Sequence, residues 1–366
     1  FAASPVIAPP IEESADISRQ VHEFCGACHV YPPPDSFPKR HWAAEVLRGF
    51  SFAAEAPPHG SPPPVEDVKR YYESRAPLEL PPADIHYATT PPPIAFDPMG
   101  WDGPSASLRY AIADVSLVHL YDGQRLDILA CDFNSGAVLV LRPYESDPSW
   151  RVLAELSNPA HASVLDLNHD GIQDILIADL GNMQPTDRLC GRVVWLRGHR
   201  DGTFSQHTLL EDVGRVADVQ AADFRGTGKL DLVVAEFGLH RAGSIHFLEN
   251  QTTDWDSPEF VSSVLDSRHG AIHVPTIDLN ADGKPDFIAL ISQEHEAVVA
   301  FLNRGDGSFD KQTIFAAQQP GFGSSGIQLI DINSDGHLDV LYSNGDTLDL
   351  PALLKPFHEV QWLENP

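Results

Sequence analysis

Five copies of one short pattern constrain this 366-residue chain more than any other feature. An aspartate opens an aliphatic run at Asp127, Asp174, Asp231, Asp286 and Asp339, with spacings of 47, 57, 55 and 53 residues. A second aliphatic run follows each, such as Val138-Leu139-Val140-Leu141 or Val193-Val194-Trp195-Leu196. A further run precedes each aspartate, and a fourth often closes the unit. Runs of this length, rich in β-branched residues and bounded by Gly, Asp and Asn, are strand signals. Four strands in a unit of this length is the period of a propeller blade. One such unit cannot cover its own faces, so the units are expected to stack around an axis. The expectation is an all-β propeller of at least five blades over residues 106–366. The last unit reaches only its third strand, and residues 84–96 are one candidate for the missing one.

Three of the units carry an acidic loop before the aspartate. They read Asp166, Asn168, Asp170, Gly171, Asp174; Asp278, Asn280, Asp282, Gly283, Asp286; and Asp331, Asn333, Asp335, Gly336, Asp339. Oxygens at loop positions 1, 3, 5 and 9 are joined by the carbonyl of position 7, here Ile172, Lys284 and His337. Hard oxygen donors on a flexible loop are what Ca²⁺ requires. No glutamate follows at position 12, and strands flank the loop, so an EF-hand is excluded. The third unit puts Arg225 and Thr227 where acids belong, so a side-chain cation is expected in place of an ion. The first has no acid at position 1. About three Ca²⁺ sites of structural character are expected. A mere Asp/Asn-rich turn is the competing reading.

The loops are similar to those of FG-GAP/VCBS repeats, the blades of integrin-α-type propellers. The resemblance covers roughly residues 106–366 and implies the same fold and calcium chemistry.

Composition changes before residue 80. Helix-like segments there are separated by proline-rich links, and a second proline cluster marks residues 81–105 as a linker. Cys25-Gly26-Ala27-Cys28-His29 is a C-x-x-C-H sequence, the attachment pattern of c-type haem. Two thiols three residues apart suit two thioether bonds, and the adjacent imidazole suits the iron. A zinc knuckle would need a second ligand pair, and no further cysteine occurs before Cys131. A redox dithiol would need a βαβ setting that the prolines deny. One covalent haem c on Cys25, Cys28 and His29 is therefore expected.

Residues 11–80 resemble a small class I type cytochrome c domain, with a motif helix, a middle helix around residues 41–47 and a closing helix around 65–72. The fold class expected for the whole chain is thus multidomain, a small all-α haem domain followed by the propeller. In that family the second axial ligand is usually a methionine between the middle and closing helices. The loop of residues 49–64 has none, which points to His59. His41, Met99 and a five-coordinate iron remain alternatives.

Lys+Arg 24 against Asp+Glu 52 gives a formal net charge of −28, which argues against nucleic acid and anionic lipid as partners. No run of 18 apolar residues offers a membrane span. Phe1 follows no visible signal pattern, so any leader is expected to have been removed. Cys131 and Cys190 are either a disulfide or two free thiols. Near the propeller axis, His161, Arg215, His269 and His273 form either a polar ligand funnel or ordinary loop contacts. These readings describe an exported, periplasmic or extracellular electron-transfer protein of bacterial type. Its haem would serve a redox partner protein, within a membrane-associated complex in one version, with the propeller as docking module. A haem-linked oxidoreductase and a scaffold subunit are the alternatives. No catalytic residue is assigned.

Overall fold

The computed structural model describes residues 15–55, 62–81, 97–105, 109–345 and 357–366. His59, most of the expected linker and the segment 84–96 lie outside them.

Five antiparallel sheets follow one another along the chain. The first blade holds β1 (Ile112–Val118), β2 (Asp127–Asp132), β3 (Ala137–Leu141) and β4 (Arg151–Glu155). The second holds β5 (Pro159–Leu165), β6 (Asp174–Asp179), β7 (Gly191–Gly198) and β8 (Phe204–Val213). The third runs through β9 (Val216–Ala222), β10 (Asp231–Glu236), β11 (Ser244–Asn250) and β12 (Phe260–Asp266). In the fourth the inner strand is split into β13 (Ala271–His273) and β14 (Thr276–Ile277), ahead of β15 (Asp286–Ile291), β16 (Ala297–Asn303) and β17 (Phe309–Ala316). The fifth shows three strands among the described residues, β18 (Ser324–Ile330), β19 (Asp339–Asn344) and β20 (Glu359–Leu363). This is a five-bladed propeller.

The burial pattern explains the composition of each strand. Residues of β6, β10 and β15 are buried throughout, because both faces of a middle strand meet a neighbouring blade. Continuous aliphatic runs are the sequence form of that burial. Outer strands such as β12 and β17 are mostly exposed and correspondingly polar.

Four cores join successive blades. Leu129, Val138, Ile175 and Val194 join the first two, and Leu176, Trp195, Val219 and Leu232 the second and third. Val233, Phe247, Phe287 and Phe301 join the third and fourth, and Ile288, Val298, Val340 and Tyr342 the last two. No strand of the fifth blade packs extensively on the first among the described residues. Val115 and Leu117 on β1 are 64% and 67% exposed, and Val360 on β20 is 71% exposed.

The N-terminal unit has three helices, α1 (Ala15–Cys25), α2 (Lys39–Glu55) and α3 (Val65–Arg75). Val21, Trp42, Val46, Val68, Tyr71 and Tyr72 form its core, with Cys25 packed against it. Trp42 stacks on Tyr72 at 3.8 Å, and its indole N–H donates to the carbonyls of Pro34 and Phe37. Helix α2 is longer than its expected core of residues 41–47 and takes in the start of the loop expected over 49–64. Ser51-Phe52-Ala53-Ala54 contains no residue that stops a helix.

Candidate functional site

Three groups of side chains carry chemistry: the loops ahead of each second strand, the propeller axis and the end of α1.

The acidic loops are built alike. In the second blade both oxygens of Asp166 accept backbone N–H bonds, from Asp170 at 3.0 Å and Gly171 at 2.8 Å. Asp278 does the same for Asp282 and Gly283, and Asp331 for Asp335 and Gly336. Asp170, Asp282 and Asp335 in turn accept from the N–H of Ile172, Lys284 and His337. Position 4 is left-handed in each loop although it is not glycine: φ is 57° at His169, 57° at Ala281 and 62° at Ser334. Such residues carry strain that the surrounding hydrogen bonds must offset.

The aspartate that begins each second strand is wholly buried. Asp174 accepts from Leu167 N–H at 3.0 Å and from Gly198 N–H at 2.7 Å, tying the loop to β7. Asp286 ties Leu279 to Asn303, and Asp339 ties Ile332 to Asn365, through equivalent bonds. Burial pushes the carboxyls of Asp174 and Asp286 up, against the pull of these N–H groups. With their oxygens turned to the backbone, no three His, Cys, Asp or Glu side chains among the described residues converge as a ready metal cage. Sequence spacing could not have shown this. The donor set still suits a hard cation, since each carboxylate oxygen keeps a second lone pair and Asn168, Asn280 and Asn333 add amide oxygens.

The other two blades place a side chain on the same aspartate. Arg225 forms a two-pronged pair with Asp231, at 3.0 and 2.9 Å, and reaches Glu249 at 2.7 Å. Lys229 instead donates to the carbonyl of Thr252. In the first blade Tyr144 donates to Asp127 at 2.6 Å, and Arg142 stands 3.7 Å away. Arg225 thus stands on the aspartate where the sequence pointed, while the roles of Tyr144 and Arg142 carry no motif and were not foreseen.

On the axis, the pairing register of each innermost strand skips one residue at the same place in all five blades, a β-bulge. The residues just after the skip are Asp114, His161, Asp218, His273 and Gly326. His161 Nδ1 lies 2.9 Å from Asp218 Oδ1, and His273 Nδ1 lies 4.0 Å from Oδ2. Asp218 also accepts from Val274 N–H at 2.8 Å and Gln220 at 3.0 Å. Burial alone would lower the His161 pKa, but the Asp218 carboxylate overcomes it and raises it to about 9. Asp218 pays a burial penalty too, yet His161 holds it down at about 2. The structure therefore brings His161 and His273 together, through an aspartate that sequence reading missed. Arg215 is buried elsewhere, donating to the carbonyl of Gly238, and His269 accompanies Gln293 in a loop.

At the end of α1, Cys25 is the last helical residue and half-buried, while Cys28 is exposed one turn further on. Burial pushes the Cys25 thiol up, with Tyr72 acting against it. His29 Nδ1 bonds the carbonyl of Val30 at 2.8 Å. A carbonyl partner requires the proton on Nδ1 and leaves the Nε2 lone pair available to a metal. Two free thiols and one imidazole lie within five consecutive residues, a donor set of the kind that could hold a covalent haem. Met99 is 78% exposed. Cys131 and Cys190 are both free thiols, Cys131 buried between the first two blades.

The FG-GAP-like repeat family matches residues 166–234 and 278–342. Those parts of the propeller are FG-GAP-like repeats. The V. cholerae biofilm matrix protein Bap1 is similar at 16% identity and a TM-score of 0.39, over 70% of this chain and 40% of its own. The chain thus spans less than half of that protein's length. A functionally unknown protein from Desulfotomaculum acetoxidans is similar at 13% identity and a TM-score of 0.32, over 65% of this chain and 80% of its own. No relative was found among curated proteins. Among the described residues no helix is long and apolar enough to cross a membrane.

Proposed function

We propose that this FG-GAP-repeat propeller protein is an exported monohaem c-type cytochrome whose propeller binds calcium and docks the haem unit on a redox partner protein. The observation that carries the reading is the end of α1: Cys25 and Cys28 free, and His29 held through Nδ1 with Nε2 left open. A haem bound there would pass single electrons by cycling its iron between ferric and ferrous states. The helical unit fixes the attachment turn by packing Cys25 against the core of Trp42 and Tyr72. Pyridine haemochrome analysis of the protein, made with c-type maturation machinery, should give one haem per chain. A redox titration should then give one reversible one-electron couple. A chain without covalent haem under those conditions would overturn the reading.

The acidic loops of the second, fourth and fifth blades are proposed as Ca²⁺ sites of structural function. They supply oxygen donors, and no side-chain cation stands on their buried aspartates, Lys284 pairing only with Asp282 at 3.2 Å, whereas Arg225 stands on the buried aspartate of the third blade. Bound calcium of about three per chain, lost to chelator, is the expected analysis.

A second reading draws on the axial group of Asp114, His161, Asp218 and His273. His161 held by a buried aspartate is an arrangement that can move a proton, so the propeller would bind a substrate whose electrons reach the haem. Reduction of the haem by an added substrate, abolished in His161→Gln, would establish it. Haem reduction only by partner proteins would dismiss it.

A further inference from the structure

The buried aspartate that opens the second strand of a blade has a neighbour across the ladder, on the third strand. Val340 pairs with Leu363 in the fifth blade and Leu232 with Leu248 in the third. Ile175 pairs with Leu196 in the second and Phe287 with Phe301 in the fourth. One step further along each ladder, Asp339 comes opposite Glu364 and Asp231 opposite Glu249, while Asp174 meets Arg197 and Asp286 meets Leu302. Directly opposite residues of an antiparallel pair share one face of the sheet, with Cβ atoms about 5 Å apart. The residue at this position therefore sets part of the charge that surrounds the loop.

The third blade shows what a glutamate does there. Arg225, at loop position 3, pairs with Asp231 through two bonds and with Glu249 at 2.7 Å. The cross-strand glutamate and the buried aspartate hold one cation between them. The fifth blade repeats the arrangement with asparagine in place of the arginine. Asn333, at loop position 3, donates from its amide nitrogen to Glu364 at 3.1 Å. The same nitrogen donates to Asp335 at 2.8 Å. A carboxylate from outside the loop thus meets the same loop position in both blades.

The remaining two acidic loops have no such acid. In the second blade the opposite residue, Arg197, is a cation, turned onto Asp256 at 2.9 Å. In the fourth it is the apolar Leu302, and Lys284 of the loop itself pairs with Asp282 at 3.2 Å. Each of these loops sets three aspartates against one positive side chain. The fifth blade gathers Asp331, Asp335, Asp339 and Glu364, and among the described residues no lysine or arginine pairs with them. Calcium affinity in oxygen sites is tuned by the charge of the ligands and the rigidity of the site.

We propose that Glu364 is a further ligand of the fifth-blade calcium site and makes it the tightest of the three. This rests on the calcium reading above. Glu364 extends the donor set beyond the loop, to the chain that leaves β20. A calcium held by Asp339 and Glu364 together would tie β19 to β20, as Arg225 ties β10 to β11 through Asp231 and Glu249.

The test is a calcium titration of the full-length protein, stripped of metal with chelator and followed by isothermal calorimetry. Wild type should bind one ion more tightly than the other two. Glu364→Gln should weaken that one site about tenfold and leave the others unchanged. Glu364→Ala should behave alike, and circular dichroism in the absence of calcium should match wild type for both, which guards against a folding defect. Asp335→Ala should abolish the same tight site, and adding Glu364→Gln to it should change nothing more. Three equal sites in wild type, an unchanged titration in Glu364→Gln, or a tight site that survives Asp335→Ala would each overturn the assignment. A wild-type protein that binds no calcium would instead overturn the calcium reading itself.

Discussion

Asp174, Asp286 and Asp339 are buried carboxylates that meet backbone N–H groups and no cationic side chain among the described residues. The equally buried Asp231 meets Arg225, and Asp127 meets Tyr144 with Arg142 nearby. The backbone turn is nearly common to the acidic loops and that of the third blade. There Asp223 accepts from Thr227 and Gly228 N–H as Asp166 does from Asp170 and Gly171. What differs is the guanidinium that stands on the buried acid of the third blade. A repeat that must bury an acid can import a cation or encode one. The acid-rich blades have the composition of the first kind, and the third blade is the second.

The largest expected effect would come from removing the calcium proposed for the acidic loops. A ligand at 100 times its Kd stabilises a fold by about 3 kcal/mol per site. Stripping calcium should therefore lower the melting temperature markedly, and calcium, not magnesium, should restore it. Identical scanning-calorimetry traces with and without chelator would break the comparison at its root.

The encoded cation should respond oppositely. Arg225→Met leaves Asp231 buried without its partner, at a cost of about 3 kcal/mol. That loss should be the same in calcium and in chelator. The double change Arg225→Asn with Thr227→Asp sharpens the point, because it completes the oxygen pattern beginning at Asp223. Bound calcium measured by plasma emission should rise by one per chain. No additional ion would mean that loop sequence alone does not make the site.

The axial pair separates the blades by pH rather than by calcium. His161 of the second blade and Asp218 of the third are linked at 2.9 Å. The His161 pKa is raised to about 9, so its contribution is full below its unfolded value near 6.5 and disappears as pH rises through 9. The Asp218 pKa is lowered to about 2, so its contribution is present above about 4 and disappears as pH falls through 2. The pair is worth on the order of 3 kcal/mol between those limits. Denaturant melts at pH 7 and pH 9.5, in saturating calcium, should differ in wild type and much less in His161→Gln.

Much of this was legible in sequence because a blade is periodic. The aspartate spacing fixed all five units, and the aliphatic run after it marks a strand covered on both faces. Arg225 could be read because it interrupts a pattern. Asp218 could not, since nothing in Val216-Ala217-Asp218-Val219 shows that a bulge turns the third residue toward His161. Tyr144 lies 17 residues beyond Asp127, outside any loop motif, and only the pairing of β2 with β3 brings them together. The N-terminal unit shows the other limit. Its C-x-x-C-H names an attachment chemistry, but says nothing of which residues on other elements lie near that turn.

Tyr144 gives the smallest of these effects. Its hydroxyl donates to Asp127 at 2.6 Å, where the third blade uses a guanidinium. A neutral donor stabilises a buried carboxylate less than a cation does, since it adds no net charge. Tyr144→Phe removes one bond but leaves Asp127 the Tyr121 N–H and the nearby Arg142. The expected loss is about 1 kcal/mol, independent of calcium. Arg142→Met in the Tyr144→Phe background removes the nearby cation as well, and should cost more than the two single changes together. An Arg142→Met change that costs nothing in that background would show that Arg142, at 3.7 Å, contributes nothing to the carboxylate. The first blade would then hold its acid by hydrogen bonds alone, a third solution beside the ion and the guanidinium.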